Sequence, residues 1–188
     1  MKLSTWNVNS VRARLGRVIA WLETNRPDVL CLQEVKVEDA KFPTDGFRAL
    51  GYHLAPPGQN TYNGEAILSL TPPSAVERGF GDGAEDPQAR FLAASVAGIR
   101  VMTAYVPNGE AVGSAKFAYK LAWLERLRRY LAMRLTADAP AVLCGDFNVA
   151  PTSADVYDPQ AWEGNVLFTL EERAALERVR QVGLVDLV

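Results

Sequence analysis

Residues 145–148 (Gly-Asp-Phe-Asn) place two polar side chains directly after a short apolar run. The run 141–144 is bounded by a proline and a glycine, which predicts a buried strand. Asp146 and Asn148 are two residues apart, so in an extended chain their side chains point to the same side. An aspartate there can hold a water or a metal ion, and an asparagine can donate hydrogen bonds to an anionic oxygen. The alternative interpretation is an Asx turn that only ends the strand.

Three further polar side chains end strand-like apolar runs. Asn7 closes the first run, Glu34 closes the second, and Tyr105 stands just before the turn that ends a predicted β-hairpin. A glutamate at the end of a buried strand requires a partner, because an unpaired buried carboxylate is costly. A bound cation would supply one, and the alternatives are a structural ion pair or exposure at the strand end. For Tyr105 the alternative is packing within the strand.

Two of these side chains, Glu34 and Asp146, carry hard oxygen donors, which suit Mg²⁺ or Mn²⁺ better than zinc. Such a metal polarises a phosphoryl oxygen and steadies the leaving oxygen. An aspartate beside it orients or deprotonates a water, while asparagines and a tyrosine hold the negative charge that develops around phosphorus. The chemistry that these residue types predict is hydrolysis of a phosphodiester or a phosphomonoester.

The elements that must position these residues begin with a strand–helix–strand unit. We predict a strand over 2–8, a helix over 11–24 and a second strand over 28–33. This order implies a parallel, right-handed crossover. Asn7 and Glu34 would then lie at the same edge of neighbouring strands.

The rest of the chain continues the alternation of strands and helices. The predicted elements, in chain order, are strands at 52–55, 65–70 and 74–80, a hairpin over 90–106, a helix over 114–135, the strand at 141–144 and a helix from the Thr169 capping box to 182. We interpret the basic residues of the long helix, Lys120 among them, as a solvated face rather than a nucleic-acid contact. Glu65 begins a predicted strand, where it would destabilise a core-facing position and be harmless at a frayed end.

Length and composition predict one globular domain of ordinary size. The 188 residues carry a net charge of −2, which does not favour a protein held to DNA by bulk charge, although a local basic groove stays compatible with it. Cys31 and Cys144 lie in apolar runs, so we expect free thiols rather than a disulfide framework or a zinc site. We find no apolar segment of transmembrane length and no secretory signal, and therefore expect a cytoplasmic location.

Several short stretches of the sequence carry a family resemblance. They are, in chain order, WNVNSVRAR (6–14), DVLCLQEVK (28–36), YNG (62–64), YVPNG (105–109), GDFNVAP (145–151), LEER (170–173) and GLVD (183–186). In this order they resemble the exonuclease III family of abasic-site endonucleases, within the endonuclease/exonuclease/phosphatase superfamily. The resemblance runs from Lys2 to Val188, and the order of the motifs makes it specific.

The resemblance implies a fold and a set of site residues. The fold is a DNase I-like four-layer α/β sandwich, two packed sheets flanked by helices, lacking the C-terminal strands. Glu34 would be the principal metal ligand, with Asn7, Asp146 and Asn148 in the same metal site. Asp146 would also position or activate water, and Tyr105 and Asn148 would stabilise the transition state. The side chains implied to contact DNA or its phosphates are Lys36, Arg90 and Asn108.

The activity implied is Mg²⁺- or Mn²⁺-dependent incision of the DNA backbone 5′ to an abasic site. The resemblance also implies 3′-phosphodiesterase and 3′→5′ exonuclease activity. The implied partner is double-stranded DNA with abasic sites or 3′ blocks, bound by a monomer without membrane association. Two other interpretations stay open. One is a phosphatase or phosphodiesterase of the same superfamily acting on a small phosphorylated substrate, and the other is a non-catalytic fragment.

The sequence departs from the family pattern at its C-terminal end. Family members continue past the GLVD stretch with a tryptophan-rich segment, an Arg-Ile-Asp stretch and a Ser-Asp-His stretch whose Asp–His pair belongs to the catalytic cluster. His53 is the only histidine and does not match that pair, so we interpret it as a surface or packing residue. We therefore expect a single domain over 1–188, incomplete at its C-terminus, with reduced or absent activity.

Overall fold

A computed structural model describes residues 1–55, 63–84, 86 and 88–187 of the chain. The predicted loop at 56–60 and Tyr62 of the YNG stretch lie outside the described residues. The chain divides into two compact units, Met1–Tyr105 with Asp138–Asp146 and Val106–Ala137 with Phe147–Val188. The single domain over 1–188 stays a prediction. Within the described residues, no helix is long and apolar enough to cross a membrane.

The first unit contains a four-stranded mixed sheet. Its strands are β1 (Leu3–Asn7), β2 (Val29–Gln33), β3 (His53–Ala55) and β4 (Glu65–Ser69), in the spatial order β1-β2-β4-β3. β1 and β2 are parallel and are joined by α1 (Val11–Asn25), which confirms the predicted crossover unit. The Ser10 side chain caps α1 by accepting a hydrogen bond from the Ala13 amide. A short helix, α2 (Thr44–Arg48), precedes β3.

A second four-stranded sheet belongs to the same unit. Its strands are β5 (Ser74–Arg78), β6 (Phe91–Val96), β7 (Ile99–Tyr105) and β8 (Ala141–Asp146), which lie side by side in chain order. β6 and β7 form the predicted antiparallel hairpin, and β8 joins parallel to β7. The parallel pairing brings the carboxyl ends of β7 and β8 to one edge, with Tyr105 opposite Asp146.

Alternating side chains of β2 build two apolar layers. Leu30 and Leu32 pack with residues of α1, α2 and β4, whereas Val29 and Cys31 pack with residues of the second sheet. Every residue of β2 is buried, as expected for a strand covered on both faces. The two sheets of this unit therefore pack face to face, with helices on the outer face of the first sheet.

The second unit is helical. It contains α3 (Ala115–Arg134), α4 (Pro159–Trp162) and α5 (Leu170–Arg180). The capping box at the start of α5 is confirmed, because the side chains of Thr169 and Glu172 each bond the backbone of the other residue. The interpretation of Lys120 as part of a solvated face is wrong, because its side chain is fully buried.

Candidate active site

The ends of β1, β2 and β8 meet through the carboxamide of Asn7. Its Nδ2 atom donates one hydrogen bond to Oε1 of Glu34 and another to Oδ2 of Asp146, each 2.8 Å long. The two carboxylate oxygens are therefore no farther apart than twice 2.8 Å. β1 and β2 belong to the first sheet and β8 to the second. Strand ends that are distant in sequence thus bring one carboxamide and two carboxylates together.

The Glu34 carboxylate has several polar partners. Lys36 Nζ lies 2.8 Å from Oε2 of Glu34 and also donates a hydrogen bond to Oδ1 of Asn9. Burial alone would raise the pKa of Glu34, but hydrogen bonds from Lys36, Asn7 and Tyr105 outweigh burial and hold this pKa below its ordinary value. Glu34 is therefore an anion at neutral pH, as a metal ligand must be.

Tyr105, the last residue of β7, remains a neutral phenol. Burial, followed by the hydrogen bond to Glu34 and the charge of that carboxylate, raises the pKa of Tyr105 to about 12. At neutral pH this hydroxyl donates hydrogen bonds and is not a phenolate nucleophile. The alternative of pure packing does not describe it, because its hydroxyl contacts the Glu34 carboxylate.

Arg90 contacts both the backbone and the ring of Tyr105. Its Nη1 atom donates to the Tyr105 carbonyl at 3.2 Å, and its guanidinium lies 4.5 Å from the centre of the Tyr105 ring. Its Nε atom donates to Oε1 of Gln88 at 2.6 Å. The structure thus brings two of the predicted DNA-contacting residues, Lys36 and Arg90, to the residues around Glu34.

The backbone around Glu34 adopts left-handed conformations that non-glycine residues rarely occupy. The φ angles are 41° at Asn9, 90° at Ser10, 52° at Glu34 and 49° at Lys36. Each such residue costs about 1–3 kcal/mol and persists only where the surroundings impose the conformation. The surroundings do so here, because the Ser10 amide donates to the Glu34 carbonyl at 2.7 Å and the Lys36 amide donates to the Asn63 carbonyl at 3.0 Å. The sequence pattern offers no signal for this strain.

Gly145 allows β8 to reach Asp146. The predicted end of this strand at Cys144 is wrong, because β8 continues through Gly145 and pairs with β7 up to Asp146. The φ angle of Gly145 is 140°, and a Cβ atom there would lie 2.0 Å from the carbonyl oxygen of Ala104. Glycine is therefore required for the close approach that positions Asp146 beside Tyr105.

A buried polar layer precedes the strand-end residues, and it was missed at the sequence level. Gln33 Nε2 donates to Oγ1 of Thr5 at 3.0 Å and to Oγ1 of Thr103 at 2.9 Å. Thr5 and Thr103 lie two residues before Asn7 and Tyr105, on the same faces of β1 and β7. These bonds tie the two sheets together directly behind the cluster. The sequence signal available for this layer was the two-residue spacing of Thr5 from Asn7 and of Thr103 from Tyr105, which puts each pair on one face of its strand.

Glu65, the first residue of β4, is a buried acid of this unit. It is 1% exposed, so of the two alternatives the core-facing position applies and the frayed strand end does not. Neither carboxylate oxygen has a hydrogen-bond partner within the described part of the chain, although the Leu92 amide and the Thr103 hydroxyl lie close enough to lower its pKa slightly. Burial, and then the neighbouring Cys144, nevertheless raise the pKa of Glu65 well above its ordinary range.

The second unit holds the two remaining predicted site residues, Asn108 and Asn148. Asn148 Nδ2 donates to the Val106 carbonyl at 2.9 Å, and Asn108 Nδ2 lies 3.5 Å from Oδ1 of Asn148. The φ angle of Asn148 is 47°, a left-handed conformation that asparagine tolerates better than most residues. The two carboxamides therefore lie side by side. Their predicted roles, metal binding and transition-state stabilisation by Asn148 and DNA contact by Asn108, stay predictions.

The donor set at the Asn7 bridge fits a magnesium-like cation. Among the described residues, no group of three or more histidine, cysteine and acidic side chains could hold a metal. Glu34 and Asp146 nonetheless present two carboxylates within a short distance of each other. Mg²⁺ commonly binds through one or two carboxylates and keeps several waters, whereas structural zinc takes four protein ligands. Two carboxylates therefore suit Mg²⁺ or Mn²⁺ and not zinc.

Known proteins resemble the chain over almost its whole length. A model described as the endonuclease/exonuclease/phosphatase family matches residues 4–175. Exodeoxyribonuclease III of Haemophilus influenzae is 34% identical over 197 residues, covering 99% of this chain and 74% of that protein.

Solved structures show the same likeness. An AP endonuclease from Archaeoglobus fulgidus superposes with a TM-score of 0.94 at 44% identity, covering 99% of this chain and 72% of that one. A 3′ phosphatase from Neisseria, bound to a product DNA hairpin, superposes with a TM-score of 0.95 at 42% identity, with the same coverage of 99% and 72%. The likeness confirms the predicted α/β sandwich.

Proposed function

The chain belongs to the endonuclease/exonuclease/phosphatase family, on its exodeoxyribonuclease III-like branch, and we propose that it is a DNA-repair nuclease. More finely, we propose Mg²⁺-dependent incision of the DNA backbone 5′ to abasic sites, with 3′→5′ exonuclease and 3′-phosphodiesterase activity. Relatives named exodeoxyribonuclease III and AP endonuclease, and a neighbour bound to a DNA hairpin, support this assignment. The two free cysteines are compatible with a reducing, cytoplasmic setting.

The observation that carries the proposal is the Asn7 bridge between the Glu34 and Asp146 carboxylates. A bare pair of carboxylates at this distance would repel, and the shared amide donor holds them in one arrangement. We assign Glu34 and Asp146 as ligands of Mg²⁺, and Asn7 to the same metal site, where its Nδ2 orients both carboxylates. When bound, the cation would polarise the phosphoryl oxygen and stabilise the leaving oxygen.

Other side chains of the first unit take separate tasks. Asp146 also orients a water for attack and accepts its proton. Tyr105, neutral because its pKa is about 12, would turn its single O–H from Glu34 to the charge that develops on the phosphate. Lys36 and Arg90 bind phosphates of the DNA backbone, because each is a cation fixed by contacts with Glu34 or Tyr105.

The second unit contributes carboxamides rather than charges. We assign Asn148 to transition-state stabilisation and Asn108 to a DNA phosphate. Both side chains carry N–H donors, and neutral donors bind an anionic oxygen without competing for a cation. Their close spacing, 3.5 Å between Asn108 Nδ2 and Asn148 Oδ1, supports a joint role.

The experiment that tests the proposal is incision of a duplex that carries one tetrahydrofuran abasic-site analogue, with Mg²⁺ and with EDTA. Asp146→Asn should lower kcat by about 10²–10⁴-fold, the usual contribution of a general base. Asp138→Asn, at an exposed position of the turn before β8, is the matched control and should leave kcat unchanged.

Each outcome decides the assignment. Cleavage immediately 5′ to the analogue that needs both Mg²⁺ and Asp146 supports it. Equal cleavage by Asp146→Asn, or in EDTA, contradicts the assigned site. A folded chain that hydrolyses a small phosphomonoester but leaves the duplex intact favours the phosphatase interpretation. A folded chain that cleaves neither substrate rejects the activity for this chain.

A further inference from the structure

We propose that Lys120 is a positioning residue, whose buried ammonium fixes the two loops that present Asn108 and Asn148. The inference rests on the proposed function, because that function assigns both carboxamides to the phosphate. It concerns the second unit alone, to which all residues involved belong.

Lys120 lies in the second turn of α3 with a fully buried side chain. Its Nζ atom donates to the Asn108 carbonyl at 3.0 Å, to the Asn148 carbonyl at 2.5 Å and to Oε1 of Glu172 at 2.5 Å. An ammonium carries three N–H donors, so one lysine can serve acceptors from three separate segments. Two of these acceptors are backbone atoms of the very residues whose side chains are assigned to the phosphate.

The loop after β7 is shaped around the lysine stem. Gly109 adopts a φ of 98°, and a Cβ atom there would lie 3.2 Å from Cδ of Lys120 and 3.2 Å from Cγ2 of Val166. The loop therefore lies against the aliphatic part of the side chain as well as against its charge. A residue of different shape at position 120 would move the loop and the Asn108 carbonyl with it.

Glu172 holds the ammonium in this place. The carboxylate is also fully buried and accepts hydrogen bonds from the Leu167 amide at 3.0 Å, the Thr169 amide at 3.1 Å and the Thr169 hydroxyl at 2.7 Å. An apolar pair of similar volume often stabilises a fold as well as a buried ion pair does. What an apolar pair lacks is a donor for the two loop carbonyls, and this difference points to a positioning role.

The side-chain directions of the asparagines depend on the backbone that Lys120 holds. Asn148 occupies a left-handed conformation, its carbonyl bound by Lys120 and its Nδ2 bound to the Val106 carbonyl. The Glu110 amide donates to Oδ1 of Asn108 at 3.1 Å, which orients that carboxamide relative to its own loop. Without the ammonium, the two loops would keep the hydrogen bond from Asn148 to the Val106 carbonyl and the 3.5 Å carboxamide contact, but they would lose the bonds that fix the Asn108 and Asn148 carbonyls.

The test combines Lys120→Met with Glu172→Gln. Either change alone leaves a buried charge unpaired and endangers folding, whereas the double variant removes both charges. We expect a folded double variant whose kcat on the abasic-analogue duplex falls about 10²-fold while KM changes less than about threefold, because displaced donors are felt mainly in the transition state. Arg129→Met, on the exposed face of the same helix, is the control with unchanged kcat.

A second readout does not depend on activity. In ¹H–¹⁵N spectra of the protein, the side-chain amide signals of Asn108 and Asn148 should shift or broaden in the double variant and stay unchanged in Arg129→Met. If the wild-type chain fails to cleave, the proposed function fails, and these signals still decide whether Lys120 positions the two carboxamides.

Unchanged amide signals in a folded double variant would overturn the positioning role, whether or not kcat falls. A rise in KM with unchanged kcat would also overturn it. If the double variant does not fold, Lys120→Arg replaces it, because a planar guanidinium keeps the charge but cannot direct its donors to the same three acceptors. Lys120→Arg should then lower kcat and shift both amide signals, and wild-type values for both would reject the inference.

Discussion

Glu65→Gln should stabilise the first unit at neutral pH, although it changes only one carboxyl oxygen into an amide nitrogen. The carboxyl is 1% exposed on β4, opposite Gln33 on β2, and neither oxygen meets a hydrogen-bond partner in the described chain. Burial, then Cys144, raise the pKa of Glu65 well above its ordinary range, and Arg90 acts in the opposite direction. The folded protein therefore prefers the neutral acid.

The size and sign of the effect follow from proton linkage. Below about pH 4.3, the ordinary glutamate pKa, both the folded and the unfolded chain carry the neutral acid, and stability is unaffected. Above that pH the Glu65 carboxyl ionises in the unfolded chain, whereas its raised pKa disfavours ionisation in the folded chain. The free energy of unfolding of the wild type therefore falls by up to about 1.4 kcal/mol per pH unit until the raised pKa is reached. Between pH 5 and pH 8 the loss is bounded at about 4 kcal/mol, or roughly 8–16 °C in Tm for a chain of this length.

The assay is thermal and urea unfolding of both proteins from pH 4 to pH 8, with a reductant present. The two stability curves should lie closest near pH 4 and diverge as the pH rises, with the variant more stable. Glu23→Gln, at an exposed position of α1, serves as the control and should run parallel to wild type. Parallel curves for Glu65→Gln as well would refute the reasoning, because a carboxyl with an ordinary pKa has no linkage to folding.

Two other predictions concern the site. Gly145→Ala should destabilise the protein by about 1–3 kcal/mol in urea unfolding, because the added Cβ would lie 2.0 Å from the Ala104 carbonyl oxygen. The control, Gly16→Ala on the open face of α1, should stabilise the protein by about 0.5–1 kcal/mol. Equal effects of the two substitutions would contradict the argument that Gly145 is required for the close approach. Tyr105→Phe removes one of the hydrogen bonds that lower the pKa of Glu34, so the acid limb of the pH profile of kcat/KM should move to higher pH, and an unmoved limb would exclude this coupling.

Those features that depend on local pattern were predicted from sequence. The polar residues Asn7, Glu34 and Tyr105 stood out because each ends an apolar run, and a strand–helix–strand order brings the first two to one edge. The capping box at Thr169 was recognised because its two partners are three residues apart. Periodicity and short spacings were sufficient here, since the interactions themselves are local or follow from the handedness of a crossover.

Features that depend on contacts between residues far apart in the sequence were not predicted. Lys120 lies on a helix rich in basic residues, and its burial follows from loops 12 and 28 residues away and from Glu172, 52 residues away. Gly145 was placed in a loop because glycine usually interrupts strands, whereas the approach of the Ala104 carbonyl required it inside β8. Neither property is encoded in spacing, because both arise when segments distant in sequence pack together.

Glu65 and Glu172 are both buried, and each meets the penalty for burying an acid in a different way. Glu172 accepts hydrogen bonds from Lys120, from the backbone and hydroxyl of Thr169 and from the Leu167 amide, so its removal would leave the buried ammonium without this partner. Glu65 has no such set of donors, and burial instead raises its pKa, which favours the neutral acid. A fully partnered acid fixes geometry, while an acid without partners only weakens the fold as the pH rises. For this reason we assign a functional role to the Lys120–Glu172 pair and a cost in stability to Glu65.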